Sequence, residues 1–335
     1  MLPLKPMPPS APCLIVEPDD GLEPVRGFIG TAARSLLIKQ FTFTEESLIQ
    51  AVIDRKNSGV DVRIMLNPQR SSGTRANDET YERFKGAGIK VQWSSPKFYV
   101  THEKSIVVDE KAALVATFNL MSKYFSLTRD YGIITHDPQH VAQIVEVFNA
   151  DWEHRDWTPT NYEGLLWSNS NSRLHMARFI EAAEHRLDVQ HPKYVDAVIL
   201  DYLAAAAHRG VKVRVLCGGK HGISDVDILD TFASLRTLQR FGVKVHKQKN
   251  LRVHAKLLIA DNAEALVGSM NIDRSAFDLR RELGITISRP PIVERLQKVF
   301  DTDWDLSHHY KPPDPLKSIE HTENDFPHDE DLVHE

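Results

Sequence analysis

The segments HEKSIVVD (His102 to Asp109) and HAKLLIAD (His254 to Asp261) place three side-chain types at one spacing, His-x-Lys-x4-Asp. Each is followed by a turn of small residues ending in Asn, ATFN (Ala116 to Asn119) and GSMN (Gly268 to Asn271). An imidazole and an ammonium two residues apart on an extended segment project from the same face. The returning strand brings Thr117 and Asn119, or Ser269 and Asn271, beside them as neutral donors. A lysine point charge with orienting donors is a phosphate-binding set. Two such half-sites facing each other would put His102 and His254 about one phosphorus. One attacks; the other protonates the leaving oxygen, then deprotonates incoming water or alcohol. Lys104, Lys256 and the two Asn then balance charge on the equatorial oxygens, so the expected chemistry needs no cofactor and no metal ion. A nucleophilic imidazole also needs one fixed tautomer, which a carboxylate enforces. Asp130 and Glu282, each 28 residues after its repeat's histidine, are the candidates.

These motifs sit inside a duplication, and the duplication sets the architecture. His102, Lys104, Asp109 and Asn119 recur 152 positions later, and the register holds through Phe125/Phe277, Arg129/Arg281, Gly132/Gly284, Phe148/Phe300 and Trp152/Trp304. Upstream, Ser58-Gly59-Val60 parallels Arg209-Gly210-Val211, each an amphipathic helix running through Gly into an alternating strand. Helix and strand signals alternate throughout, which predicts an α/β fold. Expected is a tandem of α/β/α domains, each a mixed, mainly parallel sheet flanked by helices, related by a pseudo-twofold with the active site between them. The boundaries read 1–13 as an N-terminal extension, 14–157 and 165–305 as the repeats, 158–164 as a linker and 306–335 as an acidic, disordered tail.

Composition narrows the class. The chain is 41% hydrophobic and 26% charged, the balance of a soluble globular protein, and its apolar runs are strand-sized. Two cysteines build no disulfide framework, which suits a reducing, cytoplasmic setting. From Leu306 onward two Lys face eight acids, −6, so the rest of the chain carries +1 of the total −5. A strongly basic nucleic-acid footprint is therefore missing.

The paired motifs resemble the HKD motif of the phospholipase D superfamily, and the likeness spans nearly all of 14–305. The resemblance implies a phosphohistidine mechanism on His102 and His254, with His102 as nucleophile. It implies phosphate binding by Lys104 and Lys256, polar roles for Asn119 and Asn271, and histidine orientation by Asp130 and Glu282. Asp109 and Asp261 are then structural. One departure is Ala116-Thr117 where the family has Gly-Ser, a methyl that narrows the pocket.

The substrate expected is a phospholipid, hydrolysed or transphosphatidylated at a peripheral membrane contact, with Phe98-Tyr99 and Phe41/Phe43 as apolar contacts. Cardiolipin-synthase chemistry is included, although transmembrane segments and a Gly-Gly pair after the first motif are missing. The alternative is a nuclease whose cleft is lined by Arg63, Arg70, Arg75, Lys220, Lys247, Lys249 and Arg252. A reading of another class is a non-catalytic phosphate-binding protein. A monomer suffices, since one chain carries both half-sites. Trp152 and Trp304 read as core, Cys217 as an inert buried thiol, and the tail histidines as solvated.

Overall fold

The computed structural model describes residues 13–314, apart from 163, 221, 222 and 224. Residues 1–12 of the expected N-terminal extension and the tail beyond Asp314 lie outside the described residues, while Cys13 already belongs to the first strand.

The first repeat runs β1 (Cys13–Glu17), α1 (Glu23–Gly30), β2 (Ser35–Gln40), α2 (Glu46–Asn57), β3 (Asp61–Leu66), α3 (Asp78–Gly86), β4 (Lys90–Trp93), β5 (Ser105–Val108), β6 (Ala112–Ala116), β7 (Thr128–Thr135) and α4 (Pro138–Trp152). The second runs β8 (Leu165–Trp167), α5 (Ser172–Ala182), β9 (Arg186–Gln190), α6 (Ala197–His208), β10 (Lys212–Cys217), α7 (Asp225–Arg240), β11 (Lys244–Lys247), β12 (Arg252–Val253), β13 (Leu257–Ala260), β14 (Glu264–Gly268), α8 (Arg274–Asp278), β15 (Leu283–Ile287) and α9 (Pro290–Leu306). A short β16 (His308–His309) follows.

Local chemistry sets the boundaries. Asp137 and Asp196 cap α4 and α6 by accepting from Gln139 N and Ile199 N, and Pro138 stands at the start of α4 where no amide partner is needed. Gly59 and Gly210, at φ 91° and 93°, turn the chain out of α2 and α6 in a left-handed conformation that other residues rarely adopt.

The sheet orders are β1-β7-β6-β5-β2-β3-β4 and β16-β11-β10-β9-β13-β14-β15-β8. Parallel pairing between strands of the same repeat is confined to β2–β3–β4 and β9–β10–β11. The expected mainly parallel character therefore covers only that part, and the motif strands enter antiparallel. The turns at Asp109-Glu110 and Asp261-Asn262 are tight hairpins with positive φ, and a tight hairpin can join only antiparallel neighbours. The chain also stays ordered past the expected start of the tail. His308–His309 adds an antiparallel edge strand to β11, with His309 opposite His246.

Three apolar layers result. Helices α1 and α2 cover the outer face of the first sheet, and α5 and α6 that of the second. Between the sheets lies a shared core containing α4 (Val141, Ile144, Val147, Phe148), α9 (Ile292, Val293, Leu296, Phe300) and strand residues of both repeats. Trp152 and Trp304 pack against this core, as expected, and Cys217 is buried with its thiol pushed up to about 12 by desolvation. Phe41 and Phe43 are buried too. They are core residues, which removes them as membrane contacts.

Charged side chains cross the same seam reciprocally. Arg129 makes two bonds to Asp303, at 2.8 and 3.0 Å, and its repeat equivalent Arg281 bonds Asp151 at 2.7 Å. Such i-to-j and j-to-i exchange is the signature of a twofold relation.

Candidate active site

The segment ahead of each His-Lys pair leaves its own repeat. β12 pairs in parallel with the first residues of β7, Arg252 opposite Thr128 and Val253 opposite Arg129. In the other direction Thr101 bridges Arg281, and the amides of His102 and Glu103 both donate to Arg281 O at 2.9 Å. Each histidine is thus delivered to the strand that carries the other repeat's acid.

The side chains pair accordingly. His102 Nδ1 lies 3.0 and 2.9 Å from the two carboxylate oxygens of Glu282. His254 Nδ1 lies 2.7 Å from Asp130 Oδ1. Sequence spacing associated each acid with the histidine of its own repeat; the fold exchanges them. With Nδ1 engaged, Nε2 of each ring is the atom directed at a substrate. His102, Glu282 and Asp130 are fully buried, and His254 nearly so. Burial pushes the Glu282 carboxyl up to about 8, against the opposing pull of Lys104 and Arg280.

Both lysines project beside their histidines, as the i, i+2 spacing predicts. Lys104 Nζ donates to His102 O at 2.7 Å and lies over the Phe41 ring, whose edge also meets His102. Lys256 Nζ is 2.9 Å from His254 Nε2, and the Tyr124 ring packs against His254 from the first repeat. Asn119 and Asn271 are buried at the ends of the returning turns.

Two expectations need correction. Thr117 and Ser269 were assigned to phosphate, yet Thr117 Oγ1 donates its proton to Asp130 Oδ1 at 2.5 Å and accepts from Tyr131 N. Ser269 Oγ donates to Leu283 O and accepts from Leu283 N. A hydroxyl has one proton to give, so both groups brace the acid-bearing strands. Thr128 adds a second bond to Asp130, at 2.6 Å.

Asp109 and Asp261 behave as structural residues. Asp109 accepts from the amides of Ala33, Arg34 and Ser35, and Asp261 from those of Glu184, His185 and Arg186. Each pins its hairpin to the start of the neighbouring strand, away from the histidines. Of the basic-cleft candidates, Arg63 bonds Asn149 and stacks over Phe148, and Arg75 pairs with exposed Asp78. Sequence reading missed Glu17, whose buried carboxyl sits opposite Asp130 in the β1–β7 pairing. It also missed Lys39, held by Glu103 at 2.9 Å and Asp151 at 2.7 Å beneath the site. Neither lies in a motif, and a carboxylate ending a strand carries no one-dimensional signal.

Two α/β repeats that share one pair of His-Lys motifs are the architecture of the phospholipase D superfamily. A family model described as cardiolipin synthase, PLD-like domain, matches residues 25–152 and again 176–304, so the chain belongs to that family. The missing apolar spans and Gly-Gly pair do not place it outside. The chain is 25% identical over 323 residues to cardiolipin synthase A of Pseudomonas aeruginosa, covering 85% of this chain and 65% of the relative. It is 24% identical over 300 residues to cardiolipin synthase of Clostridium perfringens, covering 77% and 62%. It thus spans less than two thirds of these relatives' length. Among solved structures, phosphatidylserine synthase of Haemophilus influenzae superposes with a TM-score of 0.70 at 13% identity, covering 90% of this chain and 88% of that one, and shares the fold. Among the described residues, no helix is long and apolar enough to cross a membrane.

Proposed function

We propose that the protein is a phosphodiesterase acting on phospholipids, by hydrolysis or transphosphatidylation, through a phosphohistidine intermediate. The crosswise pairing of each histidine with the other repeat's carboxylate carries this reading. It holds two imidazoles by Nδ1, which leaves Nε2 as the ring atom for the phosphorus in this reading.

In the first step His102 Nε2 forms a bond to phosphorus, and the P–O bond to the leaving alcohol breaks. His254, protonated on Nε2, gives that proton to the departing oxygen. In the second step water or an acceptor alcohol loses its proton to His254 as its oxygen attacks phosphorus, and the P–N bond breaks. Lys256 occupies His254 Nε2 in this structure. Moving its ammonium onto a bound phosphate would let His254 carry the proton, so substrate binding itself arms the acid. Lys104, Lys256, Asn119 and Asn271 hold the equatorial oxygens.

The lipid reading is favoured by the rim. Leu127 and Leu279, each three residues before an acid of the site, and Tyr99, three before His102, are all about half exposed or more. Tyr99 N bonds Leu279 O, so two of them adjoin. Exposed apolar groups beside a phosphate site suit a lipid surface. The relatives' names, cardiolipin synthases, point the same way.

The test incubates the protein with phosphatidylglycerol vesicles and, in parallel, a plasmid, each with and without EDTA. Lipid turnover that survives EDTA, with an acid-labile phosphoprotein trapped in wild type and absent from His102→Ala, is the expected result. Cleavage of plasmid alone would transfer the protein to the nuclease reading. Activity lost on chelation would overturn the metal-free mechanism, and full turnover by His102→Ala would overturn the phosphohistidine.

A further inference from the structure

Two buried polar residues outside the motifs flank the lysines, and the repeat relates them to each other. β2 pairs antiparallel with β5, Lys39 opposite Ser105, so the next residue on β2, Gln40, stands opposite Lys104. β9 pairs likewise with β13, Gln190 opposite Leu257, which sets His191 opposite Lys256. The neighbouring parallel pairs, Lys39 with Met65 and Gln190 with Leu216, confirm that Gln40 and His191 are the same position of the repeat. Cross-strand neighbours in a sheet share a face, their Cβ atoms about 5 Å apart. Both residues therefore lie on the face that presents the His-Lys pairs.

Their hydrogen bonding is incomplete. His191 is fully buried, and among the described residues neither ring nitrogen has a hydrogen-bond partner. Gln40 is 1% exposed, and its Oε1 has no partner either. A buried polar group without a partner is costly to the fold, and each such exception calls for a reason, a bound group among them. A residue kept only for packing at these positions would be apolar, as Ile38 and Val189 are two places earlier on the same face of the same strands.

We propose that His191 is a substrate-binding residue, giving the reacting phosphate a hydrogen bond from its ring N–H beside Lys256. Gln40, whose unpartnered atom is an acceptor, holds the matching position without that role. Burial and the adjacent Lys256 charge hold His191 well below the usual histidine range, so the ring is neutral and keeps one N–H to donate. A neutral donor there adds no charge, leaving the two lysines to match an anionic diester. The inference rests on the phosphodiester reading of the site and extends it to a residue that the motifs do not include.

Inorganic phosphate is the probe, its affinity measured calorimetrically, alongside turnover of bis(p-nitrophenyl) phosphate and the urea midpoint of the ligand-free protein. In His191→Leu, phosphate should bind roughly 10-fold or more weakly, since bonds to charged groups are worth that much. Turnover should fall with it, while the urea midpoint holds or rises, because an unsatisfied group has been replaced by an apolar one. His191→Gln, copying the other half-site, should bind within about threefold of wild type on the same scale. Unchanged phosphate affinity in His191→Leu overturns the proposal. So does a lower urea midpoint with no rescue by His191→Gln, which marks a packing residue. Lys256→Met separates the two levels: if it leaves phosphate affinity intact, the phosphate site itself is misplaced.

Discussion

Glu282, in the second repeat, sets both carboxylate oxygens within 3.0 Å of Nδ1 of His102, in the first. Asp130 returns the relation to His254 at 2.7 Å. Neither repeat holds a complete histidine-acid pair, so the pairing exists only where the two sheets meet. Replacing Glu282 with Gln, or Asp130 with Asn, leaves a group that can present the wrong partner to Nδ1. Turnover should fall about 10²–10⁴-fold, by analogy with the carboxylate of a serine-protease triad. Steady-state kinetics on each variant checks this; retention of more than a tenth of wild-type kcat rules the orienting role out.

The ionic seam is the second point of test. Arg129 and Asp303 are both nearly buried and join the repeats through two bonds. Arg129→Met leaves the Asp303 carboxylate buried without its guanidinium, at a cost of about 3–5 kcal/mol. Adding Asp303→Leu removes the stranded charge and should recover much of that loss. Urea unfolding of the two single variants and the double variant gives the coupling, and strictly additive losses would mean the pair does not interact.

Stability should decline toward alkaline pH. Burial, then the nearby Asp130, push the Glu17 carboxyl from 4.5 up to about 9. The folded protein keeps this proton where the unfolded chain has lost it. Its contribution is therefore complete below about pH 4.5 and is lost as pH rises toward about 9. Glu17→Gln should flatten that slope and raise stability at pH 8.5 by about 1–3 kcal/mol. Parallel pH profiles without a change of slope would show that Glu17 is ionised in the fold.

The two hairpins tolerate different side chains. A Cβ on Gly268 would lie 2.6 Å from Gly284 Cα and 2.7 Å from Leu283 O. Both are backbone atoms that cannot swing aside. Gly268→Ala should cost about 1–3 kcal/mol, although Ala116 fills the equivalent place opposite Gly132 in the first repeat. Thermal unfolding decides, and an unchanged midpoint would mean the β14–β15 spacing can relax.

Much of this molecule was written in one dimension. Twin His-x-Lys-x4-Asp motifs at a constant offset fixed the duplication and the strand that presents each His-Lys pair. The strand assignment is a local property, since a spacing of two sets a shared face, whereas the structural part of the two aspartates was implied by the family resemblance and rests on amides about 75 positions away. Glycines after α2 and α6 marked helix ends locally as well.

Pairings across the seam were illegible, because they join residues well over 100 positions apart with no intervening pattern. Only folding showed that each acid serves the other repeat's histidine, that Thr117 spends its proton on Asp130, and that Gln40 and His191 stand beside the lysines. The chain determined what each half-site contains through short-range geometry. Packing two sheets face to face decided which half-site completes which, since His102, His254, Arg129 and Arg281 are buried where the other repeat offers them a carboxylate.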